Sequence, residues 1–206
     1  MNKNETTKNY PMLDRTRVRM KPLAERKNKV LIERDSVDPS TPPRELGDKG
    51  NALVAECVER VLRARRESRP VIMAFGAHSI KNGLSRVLTA LIEEGWVSHL
   101  AANGAGIIHD WGFSFLGMSS EDVRSNVARG EFGNWQETGY YINLALNAGA
   151  WRGRGYGESG GALILDQELV IPSEADLLDE VRSLVATDPP RAPAAADIPS
   201  AVRRFN

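Results

Sequence analysis

One cysteine, Cys57, leaves a chain of 206 residues without a partner for any internal disulfide framework. Charge of one sign is lacking too. Lys and Arg number 27 against 27 Asp and Glu, so no global field draws the chain toward nucleic acid or an acidic membrane. No apolar run approaches the roughly 20 residues that a transmembrane helix needs, and Met1 to Tyr10 is polar, without the apolar centre of a signal peptide. Neither Gly-x-Ser-x-Gly nor Gly-x-x-x-x-Gly-Lys-Ser/Thr occurs, which removes support for a serine hydrolase or a P-loop ATPase. A soluble, cytoplasmic protein that binds neither nucleic acid nor membrane is expected.

What is there suits one domain with two tails: 41% of the residues are hydrophobic, enough for a core. Residues 1–28, rich in Lys, Arg, Asn and Thr, carry no sustained apolar period and read as a mobile N-terminal arm. Residues 29–186 read as an α/β domain, and 187–206, rich in Pro and Ala over 187–199, as a tail.

Within the domain, Val30-Leu31-Ile32 is a short extended candidate. Leu53, Val54, Cys57, Val58, Val61 and Leu62 recur at helical spacing, which predicts an amphipathic helix over 47–67 with Cys57 as a buried core thiol. Pro70 opens Val71-Ile72-Met73-Ala74-Phe75, the pattern of a buried parallel strand. A second helix, with Ile80, Leu84, Val87, Leu88, Leu91 and Ile92 on one face, closes at Gly95. Val97 to Ala102 completes a βαβ unit, normally right-handed and part of a parallel sheet. Beyond Gly106 the chain reads as helical. Ser119-Ser120-Glu121-Asp122 and Ser173-Glu174-Ala175-Asp176 have the form of N-terminal capping signals, and Trp135 to Ala148 is a further helix candidate. The expected fold is α/β, a Rossmann-like parallel sheet with flanking helices.

Phosphate-bearing ligands in α/β proteins sit beyond the carboxyl ends of parallel strands, where small-residue turns let backbone N–H groups reach an anion. Two loops have that context: Gly76-Ala77-His78-Ser79-Ile80-Lys81-Asn82-Gly83 and Asn103-Gly104-Ala105-Gly106. Either they line one crevice or their glycines only make tight turns. The literal Gly-x-Gly-x-x-Gly match, Gly155 to Gly160, follows no strand. It reads as a loop closing over a ligand, a loop meeting another subunit, or plain surface. His78, His99 and His109 lack metal-ligand spacing, and no metal is expected. His109-Asp110 is either a hydrogen-bonded pair usable for acid/base or ribose-positioning work, or a helix-start Asp beside a satisfied histidine. The aromatic residues that cluster after the βαβ unit read mostly as packing residues, with Trp111 and Trp135 as candidates for a subunit contact.

The order from Val71 to Asp110 (apolar strand, small polar loop, amphipathic helix, Gly-Trp-Val, short strand, Asn-Gly-Ala-Gly, His-Asp) resembles the N-terminal part of the Rossmann-like domain of deoxyhypusine synthase. In that family a Thr-Ser-Asn loop ending in Ser-Gly, and a second strand with Thr-Thr-Ala-Gly-Gly and acidic residues, surround bound NAD. Gly83 and Gly106 match family glycines and Asp110 falls in the acidic cluster. Gly76-Ala77-His78 stand in place of Thr-Ser-Asn, and His109 in place of a cofactor-facing carboxylate. The resemblance implies NAD as cofactor, bound by Gly76, Ala77, His78, Lys81, Asn103, Gly104, Ala105, Gly106, His109 and Asp110, and a homo-oligomer. Members transfer the aminobutyl group of spermidine through an imine on a lysine near Gly-Gly-Gly and His-His. Residues 171–206 hold no such segment, so a truncated relative with no assigned catalytic residue is implied. Two alternatives stand beside it: a non-catalytic oligomeric scaffold that keeps the fold, and a different nucleotide or sugar-phosphate ligand held by the same two loops.

Overall fold

The computed structural model describes residues 12–166, 173–190 and 192–203. Residues 1–11 of the expected arm and 204–206 of the expected tail lie outside them. In chain order come two short 3-10 turns (Arg15–Arg17 and Leu23–Glu25), β1 (Asn28–Leu31), α1 (Ile32–Asp35), α2 (Gly47–Arg66), β2 (Ile72–Ala74), α3 (His78–Lys81) and α4 (Ser85–Glu93). There follow β3 (His99–Ala101), α5 (Gly104–Leu116), β4 (Met118–Glu121), α6 (Val123–Ala128), α7 (Gln136–Trp151), α8 (Tyr156–Asp166), α9 (Glu174–Thr187) and α10 (Ala192–Val202).

The fold is mixed α/β and mainly helical. Its sheets are small: β2 and β3 pair in parallel, Ile72 opposite His99 and Ala74 opposite Ala101, while β1 and β4 pair antiparallel, Val30 opposite Ser119. The parallel strand at 72–74 is therefore within the continuous apolar run Val71–Phe75 that predicts it, but it is not buried. With β3 as its single partner among the described residues, β2 leaves Ile72 65% exposed.

The helix expected from Ile80 to Ile92 is two helices. Gly83 adopts φ +85° between α3 and α4, and its carbonyl accepts from the Val37 N–H at 2.9 Å. A Cβ there would stand 2.2 Å from the Asp35 carbonyl oxygen, so backbone meets backbone at this break and only glycine fits. Gly95, also at positive φ, ends α4's turn as expected.

Several expectations are corrected by packing. Ser119 and Ser120 are not a helix cap. They lie in β4, paired with β1, and the cap of α6 is Asp122, whose carboxylate accepts from the Ser125 N–H. At Ser173 the reciprocal capping box with Asp176 does form. Cys57 is exposed, because among the described residues no element closes over the apolar stripe of α2: Leu53, Val54 and Val58 are exposed as well. That stripe and β2 instead wall an open apolar groove of about 740 Å³. The Gly155–Gly160 stretch is the start of α8 rather than a loop. A Cβ on Gly160 would meet Ile107 of α5 at 2.7 Å, so the glycine serves close helix packing.

The expected arm is docked from Lys21 onward. Lys21 and Trp135 form a parallel bridge, the Lys21 N–H donating to Asn134 O and its carbonyl accepting from Gln136 N–H, each at 2.8 Å. Leu23, 1% exposed, joins Trp111, Trp135 and Ile142 in the core, and its N–H donates to Glu137 Oε2 at 2.6 Å. Composition concealed this because one leucine in a polar stretch carries no period, yet burying it removes a large apolar area from water. Trp111 and Trp135 are accordingly core residues, not free for a subunit contact. Of the expected tail, Ala192–Val202 is helical and packs on α9 and α7. Alanine's high helix propensity carries it, and Pro193 falls in the first turn, where a missing N–H costs nothing.

Candidate functional site

Both small-residue loops leave the carboxyl ends of the parallel pair β2–β3, and they converge. Gly76, Ala77, His78 and Lys81 from the first loop and α3 line one hollow of about 410 Å³ together with Asn103, Ala105 and His109 from the second loop and α5. Gly104, Gly106 and Asp110 face a neighbouring hollow of about 530 Å³, walled by Phe75, Ile80, Leu100, Ile107 and Tyr156. Asn103 borders both. The ten residues singled out from the sequence thus border two adjoining spaces beyond the carboxyl ends of β2 and β3; both have mostly apolar walls, and the first is the more polar of the two.

The convergence has a local cause. Parallel pairing puts Ala74 level with Ala101, so the chain leaves both strands at the same height. Each exit then turns straight into a helix. α5 begins at Gly104 with no side-chain cap from Asn103, so its first N–H groups lack that partner. Tyr156, at the start of α8, lies against Gly104 and closes the apolar hollow.

His109 and Asp110 do not pair. Successive residues on a helix diverge by about 100°, so the His109 ring reaches Ser119 Oγ at 2.8 Å through Nδ1, while Asp110 accepts from the Ser85 hydroxyl at 3.5 Å. Burial lowers the His109 pKa below its usual value; the positive charges of Lys81, Arg26 and His78 push the same way and Glu121 opposes them. Burial raises that of Asp110, with the Ser85 hydroxyl pulling against it. A partly desolvated imidazole and a partly desolvated carboxyl stand back to back, one toward each hollow, and burial shifts each in the direction of its neutral form. His99 is exposed on β3, away from either set of residues, and no cluster of three His, Cys, Asp or Glu able to hold a metal exists among the described residues.

Sequence reasoning missed half of the polar hollow. Arg26, Ser120, Glu121, Phe132, Trp135 and Thr138 also line it. Arg26 is 8% exposed, and its Nε donates to Asn28 Oδ1 at 2.7 Å; burial lowers its pKa and Glu121 opposes the change. A lone buried arginine is costly unless its charge is matched, and its place in a polar stretch gave no sign of burial. Glu121 is engaged by Asn126 Nδ2 at 2.5 Å and by the Gly133 N–H at 3.2 Å.

Compared with protein-family models, with curated proteins and with solved structures, the chain matches none. No helix among the described residues is long and apolar enough to cross a membrane.

Proposed function

We propose that this chain binds a nucleotide in the crevice beyond β2 and β3, and that NAD is the ligand. On this reading the parallel pair, its crossover helices and the two loops are the central piece of a Rossmann-like domain related to deoxyhypusine synthase. One observation carries the proposal: Gly76 and Ala77 of the first loop line the same hollow as Asn103 and Ala105 of the second. The donor set fits the cofactor. The more polar hollow offers Lys81 and the His78 ring to phosphates, and the other offers Phe75, Ile107 and Tyr156 to a flat ring. When bound, NAD supplies reversible hydride acceptance at its nicotinamide ring. The residues' own work is to hold the phosphates and exclude water with Tyr156.

Aminoalkyl transfer in polyamine metabolism is the activity class that the resemblance attaches to this reading. The decisive experiment is calorimetric titration with NAD, followed by a turnover assay with NAD and spermidine. Saturable binding is expected; no heat at millimolar NAD sinks the cofactor proposal.

A second reading, an oligomeric scaffold without catalysis, is favoured by the open apolar groove between α2 and β2. Light scattering decides it. A stable oligomer that neither binds NAD nor turns over spermidine supports the scaffold, and a monomer removes it.

A further inference from the structure

A contiguous apolar face left in water marks a surface that something covers. α2 carries such a face. None of its 20 residues is buried, and no side chain caps its N-terminus. A helix of that length holds together mainly by packing its apolar side. Here Leu53, Val54, Cys57 and Val58 stand exposed, with Ile72 of β2, along the open groove. Among the described residues, all that line the groove are apolar. A small-molecule site adds a few polar groups that fix orientation, so this groove suits a broad apolar surface instead.

The stripe is arranged as its own complement. From Leu53 to Leu62 its order is Leu-Val-x-x-Cys-Val-x-x-Val-Leu, which reads nearly the same backward. On a helix turning about 100° per residue, Val54 and Val61 fall on the midline of the face. Cys57 and Val58 flank that line, and Leu53 and Leu62 form the edges. The midpoint lies between Cys57 and Val58. A two-fold axis at that point sets Val54 level with Val61 of a second copy and brings the two Cys57 side chains together.

Charge sets the direction. In the first half of α2, Asp48 and Glu56 outweigh Lys49 by one charge; in the second half, Arg60, Arg63, Arg65 and Arg66 outweigh Glu59 by three. Two parallel helices would place one arginine cluster beside the other. Antiparallel helices place each basic half beside a weakly acidic one, and their dipoles then attract.

We propose that α2 is a dimerisation helix: the α2 of a second copy of this chain lies antiparallel across the mouth of the groove, stripe to stripe, centred between Cys57 and Val58. The proposal rests on the oligomeric reading above, to which it gives a surface, and it holds with or without catalysis. Such an interface uses the same patch on both copies, so it closes at two.

The test uses the full chain. Sedimentation velocity over a range of concentrations is expected to show a monomer–dimer equilibrium. Val58, half-exposed in the single chain, tolerates a polar replacement there. Val58→Asp is expected to weaken the dimer about a hundredfold or more, because the axis buries two unpaired carboxylates side by side. Glu59→Gln, on the polar face, is expected to leave it unchanged. Direction is read by mild oxidation in a Cys57→Ser background. A disulfide needs Cα atoms within about 7 Å, and the two Val54 positions are offset by roughly 10 Å along the helices. Val54→Cys mixed with Val61→Cys is expected to give a covalent dimer, and Val54→Cys alone is not. A covalent dimer from Val54→Cys alone overturns the antiparallel arrangement. A dimer unmoved by Val58→Asp overturns this surface and keeps the oligomeric reading, whereas a monomer at every concentration overturns both. A chain that stays monomeric and binds vesicles of anionic lipid assigns the stripe to a membrane surface and overturns the proposal. A dimer that turns over spermidine with NAD keeps the surface and removes the non-catalytic scaffold.

Discussion

Truncating Leu23 to alanine tests whether the segment before β1 is part of the domain. Leu23 is 1% exposed and packs against Trp111, Trp135 and Ile142. The two indoles are held by α5 and by the Lys21–Trp135 bridge, so they cannot collapse into the space a leucine leaves. Leucine-to-alanine changes at such sites cost about 2–5 kcal/mol, the larger values where the cavity persists. About 3 kcal/mol is expected here, which in a chain of this size lowers Tm by roughly 6–12 °C. The assay is urea unfolding followed by circular dichroism, with Leu13→Ala, at a side chain 78% exposed, as the reference. Leu13→Ala should stay within about 0.5 kcal/mol of the parent. If Leu23→Ala unfolds with the same midpoint as Leu13→Ala, the segment is not docked, and Arg26 has no fixed place in the hollow.

Two further outcomes follow from local geometry. Gly83→Ala combines φ +85° with a Cβ 2.2 Å from the Asp35 carbonyl oxygen, and should cost about 2–4 kcal/mol; Gly130→Ala, at φ +67° in open space, should cost only about 1–2. Equal losses in the two variants by denaturant unfolding would show that the backbone approach at Asp35 is not real. Burial, with Lys81, Arg26 and His78 nearby, lowers the His109 pKa from 6.5. The folded protein therefore takes up that proton later than the unfolded chain as pH falls. Stability should decline as pH drops below about 6.5 toward the folded value, then level off. His109→Gln should flatten that decline, and urea midpoints on either side of pH 6.5 in both proteins decide; an identical pH slope refutes it.

Elements that announce themselves over a dozen residues were legible in the sequence. The stripe of α2, the body of α7 and the capping box of α9 all repeat or pair within one helix, and the structure has them. The loops at Gly76 and Asn103 were legible for a similar reason, since each ends a strand and begins a helix within a few residues. What escaped depends on partners far away in the chain. Ser119 and Ser120 looked like a cap because their pairing with Val30 and its neighbours is invisible locally. Cys57 sits on an apolar face, but nothing in a helical period says whether a second surface arrives to cover it. Arg26 and Thr138 reach the hollow from segments on either side of the βαβ unit, and no spacing rule links an arginine to a threonine across so long a separation.

The bond from the Leu23 N–H to Glu137 joins positions 114 apart in sequence. On a ribosome adding about 5–20 residues each second, Leu23 is made roughly 6–23 s before its partner. During that interval Leu23 lacks Trp135, Ile142 and the carboxylate that takes its N–H, so its core site is incomplete. Closing so long a loop costs more chain entropy than any local contact of the same segment, so this docking completes only after α7 has been made.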